Sequence, residues 1–206
     1  MSQFFHIHPD NPQARLIRQA VAILQAGGLI AYPTDSSYAF GWLIDDKAAM
    51  NRVEHLRQTD RNHNFTVVCR DIADIGMYAR IENAQFRMIK AATPGPFTFI
   101  LPATKELPRR LQNPKRKSIG IRIPDNAIVQ SLLAELGEPL MSSTLMLPGD
   151  ELPLNDAQTI RERLEHHVEL VIDGGACPLE PTTMIDLTTD PPQVLRQGRG
   201  DASPFL

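Results

Sequence analysis

Five side chains able to hydrogen-bond crowd into the short stretch that follows an early apolar run. Residues 29–32 are apolar and follow a Gly-Gly pair, which predicts a buried strand that Pro33 ends. The polar residues that follow are Thr34, Asp35, Ser36, Ser37 and Tyr38. Polar groups at the end of a buried strand lie where open α/β sheets place ligands, so a binding site is one interpretation. An ordinary polar turn is the other, because Pro, Asp and Ser are common turn residues.

Two later strand patterns carry side chains suited to binding an anion. Apolar residues bracket Arg122 in the predicted strand at residues 118–123, which favours a place for its guanidinium in a binding site. The alternative for Arg122 is a surface ion pair. Ser142 lies in a strand-end segment at residues 141–144, where its hydroxyl is either a ligand donor or a strand cap.

A basic run occupies residues 105–122, where Glu106 alone opposes seven lysines and arginines. In a chain of net charge −3 this asymmetry favours an RNA- or phosphate-binding face, with Lys115, Arg116 and Lys117 as the contacts. No aromatic residues are interleaved for base stacking, so contacts to the nucleic-acid backbone would dominate. The alternative is a solvated loop, the commoner outcome for a short basic run.

Length and composition place the chain in a broad class. The 206 residues predict one domain over residues 1–206, and an apolar content of 42% is ordinary for a globular protein. Cys69 and Cys177 are too few for a zinc site or a disulfide framework, and we expect no bound metal. The N-terminal residues lack the regions of a signal peptide, and no apolar stretch approaches the roughly 20 residues that span a bilayer. We therefore expect a cytoplasmic protein without a membrane partner.

Alternating strand and helix patterns must position these side chains. A strand at residues 4–7 precedes a helix that begins at Asp10-Asn11-Pro12 and ends at Gly27-Gly28, before the strand at 29–32. Gly41 then releases the backbone, and residues 42–44 extend as a strand. This order predicts α/β layer packing. Further strands are predicted at residues 65–69, 97–101, 118–123, 169–172, 184–187 and 194–196, and helices after Asp45 or Asp46, after Asn126, and at residues 72–78, 84–91 and 155–164.

Five motifs resemble, in order, those of one protein family. Residues 32–41 (YPTDSSYAFG) are similar to YPTDTxYGLG, the signature of the YrdC/YciO family of threonylcarbamoyl-adenylate synthases and their paralogues. The other four are residues 94–101 (PGPFTFIL, similar to PGPxTxIL), 119–124 (IGIRIP, similar to VGxRxP), 173–175 with 182–186 (DGG and TTMID, similar to DGG…STVVD) and 194–198 (VLRQG, similar to IxREG). Five motifs in order over roughly 170 residues strongly indicate the family fold.

The resemblance implies both a fold and a chemistry. The family fold is a YrdC/RibB-like α/β (α+β) domain, a twisted mixed β-sheet with surrounding helices and a large basic cavity. The family reaction joins L-threonine, bicarbonate and ATP into threonylcarbamoyl-adenylate and pyrophosphate, for the threonylcarbamoyladenosine modification of tRNA. ATP would enter with Mg²⁺. A carbamate must attack an α-phosphate, so cations and oriented donors must bring two anions together.

The resemblance also implies roles for individual residues but assigns no catalytic residue. Thr34, Arg122 and Thr182 match residues that contact threonine, and Arg57, Ser118, Ser142, Thr144 and Arg196 match positions near the nucleotide.

Three family positions are changed here, in the manner of the YciO branch. The family's Lys-x-Arg pair is Arg57-Gln58-Thr59, so one cation survives and the other is lost. Its Ser-x-Asn is Thr144-Leu145-Met146, so a thioether replaces an amide, and Val68 replaces a histidine. Because charge-assisted contacts are each worth about 1.5–3 kcal/mol, these changes predict weak ATP handling by the family route.

Two functions remain open from the sequence. One is an enzyme, either a synthase of this kind or a paralogue acting on a related adenylate, with Arg61, His63 or Arg70 as cations able to compensate. The other is an RNA-binding protein without synthase activity that holds tRNA or double-stranded RNA through the basic run.

Overall fold

Ten strands form one mixed sheet in the computed structural model, which describes residues 1–59 and 63–206. The strands are β1 (Gln3–His6), β2 (Ile30–Tyr32), β3 (Ala39–Leu43), β4 (Thr66–Val68), β5 (Phe97–Pro102), β6 (Ser118–Arg122), β7 (Leu140–Thr144), β8 (Leu170–Asp173), β9 (Thr183–Asp186) and β10 (Gln193–Arg196). Their order across the sheet is β1-β8-β2-β3-β7-β4-β6-β5-β9-β10. Parallel and antiparallel neighbours alternate irregularly along it, which confirms the mixed sheet expected from the motifs.

Six α-helices surround this sheet in the described ranges. They are α1 (Ala14–Gln25), α2 (Lys47–Arg57), α3 (Ile75–Tyr78), α4 (Asn83–Ala92), α5 (Ala127–Leu136) and α6 (Ala157–Leu164), with short 3-10 turns at Ile72–Asp74, Arg109–Leu111 and Ser203–Phe205. None of the helices in these ranges is long and apolar enough to cross a membrane.

The helices cover the two faces of the sheet unequally. On one face, α2, α3, α4 and α6 pack on side chains such as Phe40, Met141 and Phe99. On the other face, α1 and α5 pack on Ile30 and Leu140. Alternate residues of a strand point to opposite faces, which is why Leu140 and Met141 enter different cores. Among the described residues, the second core takes none from β5, β6, β9 or β10, so that half of the face is left for the cavity described below.

The ends of α2 and α5 lie where the sequence predicts them, whereas the start of α1 does not. Asp46 caps α2 by accepting from the Ala49 N–H at 2.9 Å, and Gly137 ends α5 in a left-handed conformation. The expected start of α1 at Asp10-Asn11-Pro12 is wrong, because the helix begins at Ala14 without a side-chain cap. The Gln13 side chain instead accepts from the His8 N–H at 3.0 Å, so it stabilises the preceding turn.

The stretch at residues 32–41 is a β-hairpin rather than a strand followed by a released backbone. β3 begins at Ala39 and pairs antiparallel with β2, with Ala39 opposite Tyr32 and Gly41 opposite Ile30. The predicted strand at 42–44 therefore starts three residues earlier, and Gly41 lies inside it. A Cβ at Gly41 would come within 2.7 Å of the Tyr32 ring, so the glycine allows close approach of a ring and not a turn.

Candidate functional site

A cavity of about 380 Å³ opens over the half of the sheet face that α1 and α5 leave uncovered. Its floor is built of hydroxyls from three strands and from the residue before β9, and three guanidinium groups reach it. The hydroxyl residues include Thr66, Thr98, Ser142, Ser143, Thr144 and Thr182; the cations are Arg57, Arg122 and Arg196. Such a lining suits an anionic, polyoxygenated ligand.

A glycine stands between two of the threonines that line the cavity. Gly120 lies between β4 and β5 in the sheet, and a Cβ there would meet Thr66 Oγ1 at 3.1 Å and Thr98 Cγ2 at 3.3 Å. Any larger residue would therefore push these two hydroxyl residues apart or fill the space above them. The glycine of the IGIRIP motif thus shapes the cavity directly.

Thr34 lies behind the cavity and not in its lining. Its hydroxyl accepts from the Ser36 and Ser37 N–H groups at 3.1 and 3.2 Å and donates to the Ser37 carbonyl at 2.6 Å. The side chain is 3% exposed, so its hydrogen-bonding capacity is spent on the loop of the hairpin. Ser36 and Ser37, which the sequence did not assign to a ligand, line the cavity in its place.

Arg122 lines the cavity and forms a buried ion pair with Asp35. The carboxylate of Asp35 also accepts from the Asp125 N–H at 2.8 Å, which ties the hairpin loop to the start of α5. The surface ion pair considered for Arg122 is thus a buried one. The Nε–H of Arg122 is buried and has no hydrogen-bond partner in residues 1–59 and 63–206. A buried unsatisfied donor is costly, so this atom marks a place where an acceptor is expected.

Arg57 reaches the cavity from the last residue of α2. Its Nη1 lies 2.5 Å from Ser143 Oγ and 2.6 Å from His63 Nε2. A guanidinium only donates, so His63 Nε2 accepts and the ring carries its proton on Nδ1. Burial lowers the pKa of Arg57, which still keeps its charge. Among the residues that the structure describes, Arg57 therefore hydrogen-bonds to Ser143, His63 and the Met146 carbonyl, and to no carboxylate that would offset its charge.

Arg196 organises the opposite wall together with two threonines. Its Nε donates to the Thr182 carbonyl at 2.9 Å and its Nη2 to Thr182 Oγ1 at 3.1 Å. Thr182 Oγ1 lies 2.7 Å from Thr98 Oγ1. Burial, and then the nearby charge of Arg122, lower the pKa of Arg196. The two guanidiniums are close enough to repel one another, and an anion between them would relieve that repulsion.

Ser142 stands inside β7 and so is not the strand cap considered as its alternative role. It is opposite Gly41 on one side and Thr66 on the other. Its Oγ lies 2.7 Å from the hydroxyl of Tyr32, and both side chains are buried. Thr144, at the end of the same strand, is exposed and also lines the cavity.

The remaining predicted positions lie away from this cavity. Ser118 is buried at the start of β6 and is outside the lining, as is Thr59. Arg70 pairs at the surface with Asp71 at 3.6 Å, and Arg61 lies outside the described residues. Lys115, Arg116 and Lys117 form an exposed turn before β6, at the end of that strand opposite to Arg122.

Arg116 differs from its two lysine neighbours because it has a partner in the fold. Its Nη1 donates to the carboxylate of Asp186 at 2.9 Å, and that carboxylate is almost fully buried. Asp186 also accepts from the N–H and the hydroxyl of Thr188. The basic run is therefore divided: Arg122 is in the cavity, Arg116 compensates a buried acid, and the two lysines face solvent.

Several cavity residues carried no signal in the sequence. Asn64, Glu151, Leu152 and Leu179 reach the lining from loops. His63, which the sequence offered only as one of three cations able to compensate, does so as well. Loop residues have no hydrophobic periodicity, and the folded chain alone sets their direction. Leu152 and Leu179 are 56% and 41% exposed, and with Met146, Pro153, Pro181 and Met184 they give the cavity an apolar rim. Within the described chain, no group of three or more His, Cys, Asp or Glu residues is placed to hold a metal ion.

Comparison with known proteins gives a consistent result. The family model Sua5/YciO/YrdC, described as "Telomere recombination", matches residues 22–198. The uncharacterized protein YciO of Escherichia coli is 55% identical over 206 residues, the whole of both chains, and the crystal structure of E. coli YciO superimposes with a TM-score of 0.96. The threonylcarbamoyl-AMP synthase of Photobacterium profundum is 28% identical over 186 residues, covering 88% of this chain and 98% of that protein.

A solved structure of a more distant protein has the same fold. The crystal structure of P. abyssi Sua5 complexed with L-threonine has a TM-score of 0.87 at 24% identity, covering 96% of this chain and 58% of that one. At this identity the likeness shows the fold alone.

Proposed function

Because this chain belongs to the Sua5/YciO/YrdC family, we propose that its cavity binds an adenylate together with the carboxylate of an amino acid such as L-threonine. The reaction is of the threonylcarbamoyl-adenylate synthase type or acts on a related adenylate. L-Threonine, bicarbonate and ATP are the substrates of the first of these, and Mg²⁺ would enter on the triphosphate of ATP.

The unpartnered Nε–H of Arg122 is the observation that carries this proposal. Asp35 accepts from Nη2 of this guanidinium, and the buried Nε–H is left for a second acceptor. A ligand carboxylate is the acceptor that a guanidinium edge holds best. Thr182, in the lining on the neighbouring side of the sheet, supports a ligand with hydroxyl or carbonyl oxygens there.

Two further cations support a phosphate in the same cavity. Arg57 has no acidic partner within residues 1–59 and 63–206, and Arg196 is repelled by Arg122. A phosphate contributes oxygens to both a guanidinium and the hydroxyls of Ser142 or Ser143. The apolar rim at Leu152 and Leu179 suits the face of a nucleobase.

The changed motifs favour an adenylate over a triphosphate. Thr59, which stands where the family has its second cation, lies outside the lining, and Met146 brings a thioether to the wall where the family has an amide. The β- and γ-phosphates of ATP would therefore gain few contacts. We expect AMP and Mg²⁺-ATP to bind with similar affinity.

Calorimetry tests this function. The chain is titrated with AMP, with Mg²⁺-ATP and with L-threonine, each alone and in pairs with bicarbonate present. We expect heat with AMP, similar heat with Mg²⁺-ATP, and tighter L-threonine binding when the nucleotide is present. Silence with every ligand and every pair would refute the proposal.

A matched pair of variants ties the binding to the cavity. Arg196→Ala removes a lining guanidinium and should weaken AMP about tenfold or more, as expected for a charge-assisted contact of about 1.5–3 kcal/mol. Arg199→Ala removes the same charge three residues later, from an exposed side chain outside this lining, and should leave the affinity unchanged. Equal effects of the two variants would place the ligand elsewhere.

A further inference from the structure

A buried tyrosine outside the cavity lining is connected to the cavity by a hydrogen bond to one lining serine. Tyr32 is fully buried and is not in the cavity lining, whereas Ser142, whose Oγ is 2.7 Å from the Tyr32 hydroxyl, is in it. Tyr32 packs in the core under α1 and α5, so it lies where that core meets the cavity floor.

The hairpin is built to let this contact form. β2 and β7 are not neighbours, because β3 runs between them, so the Tyr32 ring must cross β3 to reach Ser142. It crosses at Gly41, where ring carbons lie 2.7 and 3.0 Å from the position of a Cβ. No residue with a side chain permits this crossing without displacing the ring.

The direction of the hydrogen bond follows from where each proton can go. Among the described residues, Ser142 Oγ is the one hydrogen-bond partner of the phenol. If the serine donated, the buried phenolic proton would have no acceptor, and an unmade buried hydrogen bond costs about 1–3 kcal/mol. Ser142 has no such difficulty, since its own proton can turn into the cavity. Burial also raises the pKa of Tyr32 to about 12, so the phenol keeps its proton at any working pH.

We propose that Tyr32 is a positioning residue whose hydroxyl donates a hydrogen bond to Ser142 Oγ. This bond turns the O–H of Ser142 toward an anionic oxygen of the ligand. Tyr32 touches no ligand itself. This inference rests on the proposed function for the identity of the ligand, an adenylate, but its hydrogen-bond direction does not.

The ligand-independent test is tyrosine Raman spectroscopy. The tyrosine doublet near 850 and 830 wavenumbers distinguishes a phenol that donates a hydrogen bond from one that accepts, and subtracting the spectrum of Tyr32→Phe isolates Tyr32 from Tyr38 and Tyr78. A donor signature for Tyr32 is expected. An acceptor signature would overturn the proposal, whether or not AMP binds.

The ligand-dependent test is a double-mutant cycle with AMP in the calorimeter. Tyr32→Phe should weaken AMP by roughly threefold to tenfold in the native background, the value of one neutral hydrogen bond, and should have no effect when Ser142 is already Ala. The control is Tyr38→Phe, which removes a buried hydroxyl bonded to the Gly175 carbonyl at 2.7 Å and outside the lining; AMP affinity should be unchanged.

The outcomes separate this inference from the proposed function. If AMP and L-threonine fail to bind the native chain, the proposed function fails and the Raman result still decides the direction of the hydrogen bond. If AMP binds and Tyr32→Phe leaves its affinity unchanged or tighter, or weakens it equally in the Ser142→Ala background, the positioning role is refuted. A general loss of folding would appear as a lowered melting temperature in both Tyr32→Phe and Tyr38→Phe, and only the positioning role moves AMP affinity in one of them.

Discussion

Single side chains in the cavity decide which part of the proposed nucleotide ligand it would hold. Arg57 supplies one cation to the wall proposed to hold a phosphate, and it hydrogen-bonds there to Ser143 and His63. Met146 lines the cavity and its carbonyl accepts from Arg57 Nε at 3.4 Å, but its thioether side chain has no amide to donate. The Met146 carbonyl thus still accepts a hydrogen bond from Arg57, but this position has no side-chain amide to donate to a ligand.

Restoring that donor should improve triphosphate binding selectively. Met146→Asn is expected to raise the affinity for Mg²⁺-ATP by up to about tenfold, because an amide donates to phosphate oxygens, and to leave AMP nearly unchanged. Calorimetry with both nucleotides measures this ratio. Leu152→Asn adds the same amide elsewhere on the rim and serves as the control. An unchanged ratio in Met146→Asn would contradict the idea that this position governs ATP handling.

At the scale of elements, the hairpin of β2 and β3 joins the apolar core to the polar floor. Its loop is closed by Thr34 and anchored to α5 through Asp35, and its second strand offers Gly41 beneath the Tyr32 ring. One element therefore holds the Arg122 guanidinium and the Ser142 hydroxyl in place from behind. This explains how a stretch rich in polar residues can matter to the site while Thr34 itself stays out of the lining.

Gly41→Ala should disturb this element more than an ordinary glycine substitution. The new Cβ would meet the Tyr32 ring at 2.7 Å, and overpacking of this kind costs about 1–3 kcal/mol. Denaturant unfolding measures the free energy. Gly76→Ala in α3 meets nothing within 4 Å and should stabilise by up to about 1 kcal/mol. Equal stabilities of the two variants would show that the ring can move aside freely.

At the scale of the whole molecule, charge is distributed so that cations concentrate in one cavity of an acidic chain. The net charge is −3, yet Arg57, Arg122 and Arg196 all reach the same space. Of the basic turn before β6, Arg116 compensates the buried Asp186, and the two lysines are exposed. RNA binding through that turn would therefore depend on Lys115 and Lys117 more than on Arg116.

Substitutions in the basic turn separate these roles. Arg116→Ala should lower the free energy of unfolding by about 1 kcal/mol, discounted because its guanidinium is largely exposed, whereas Lys115→Ala with Lys117→Ala should leave stability unchanged. The RNA-binding hypothesis predicts that the lysine pair also carries salt-dependent affinity for tRNA, measured by fluorescence anisotropy at several salt concentrations. Equal tRNA affinity in the native chain and the lysine variant would remove that hypothesis.

Periodicity and local chemistry sufficed for much of the fold. The spacing of Leu16, Ile17, Ala20, Val21 and Leu24 predicts one apolar face of α1, and all of them are buried except Leu16, which is half-buried. Asp46 caps the helix it precedes. The ordered motifs were enough to indicate the family, and the family model confirms them. These features depend on residues a few positions apart in the chain, so they can be predicted from the sequence alone.

Tertiary structure alone decided what each polar side chain does. The partners of Arg122 and Arg57 are Asp35 and Ser143, which lie 87 and 86 positions away in the chain. The Thr34 hydroxyl hydrogen-bonds within its own loop, and Ser36 and Ser37 line the cavity instead. No residue pattern specifies these contacts. Residue types and spacing determined which groups this protein can bring to a ligand. Because a hydrogen bond is fixed by the position of both partners, only the folded sheet determined which of those groups remain available to bind one.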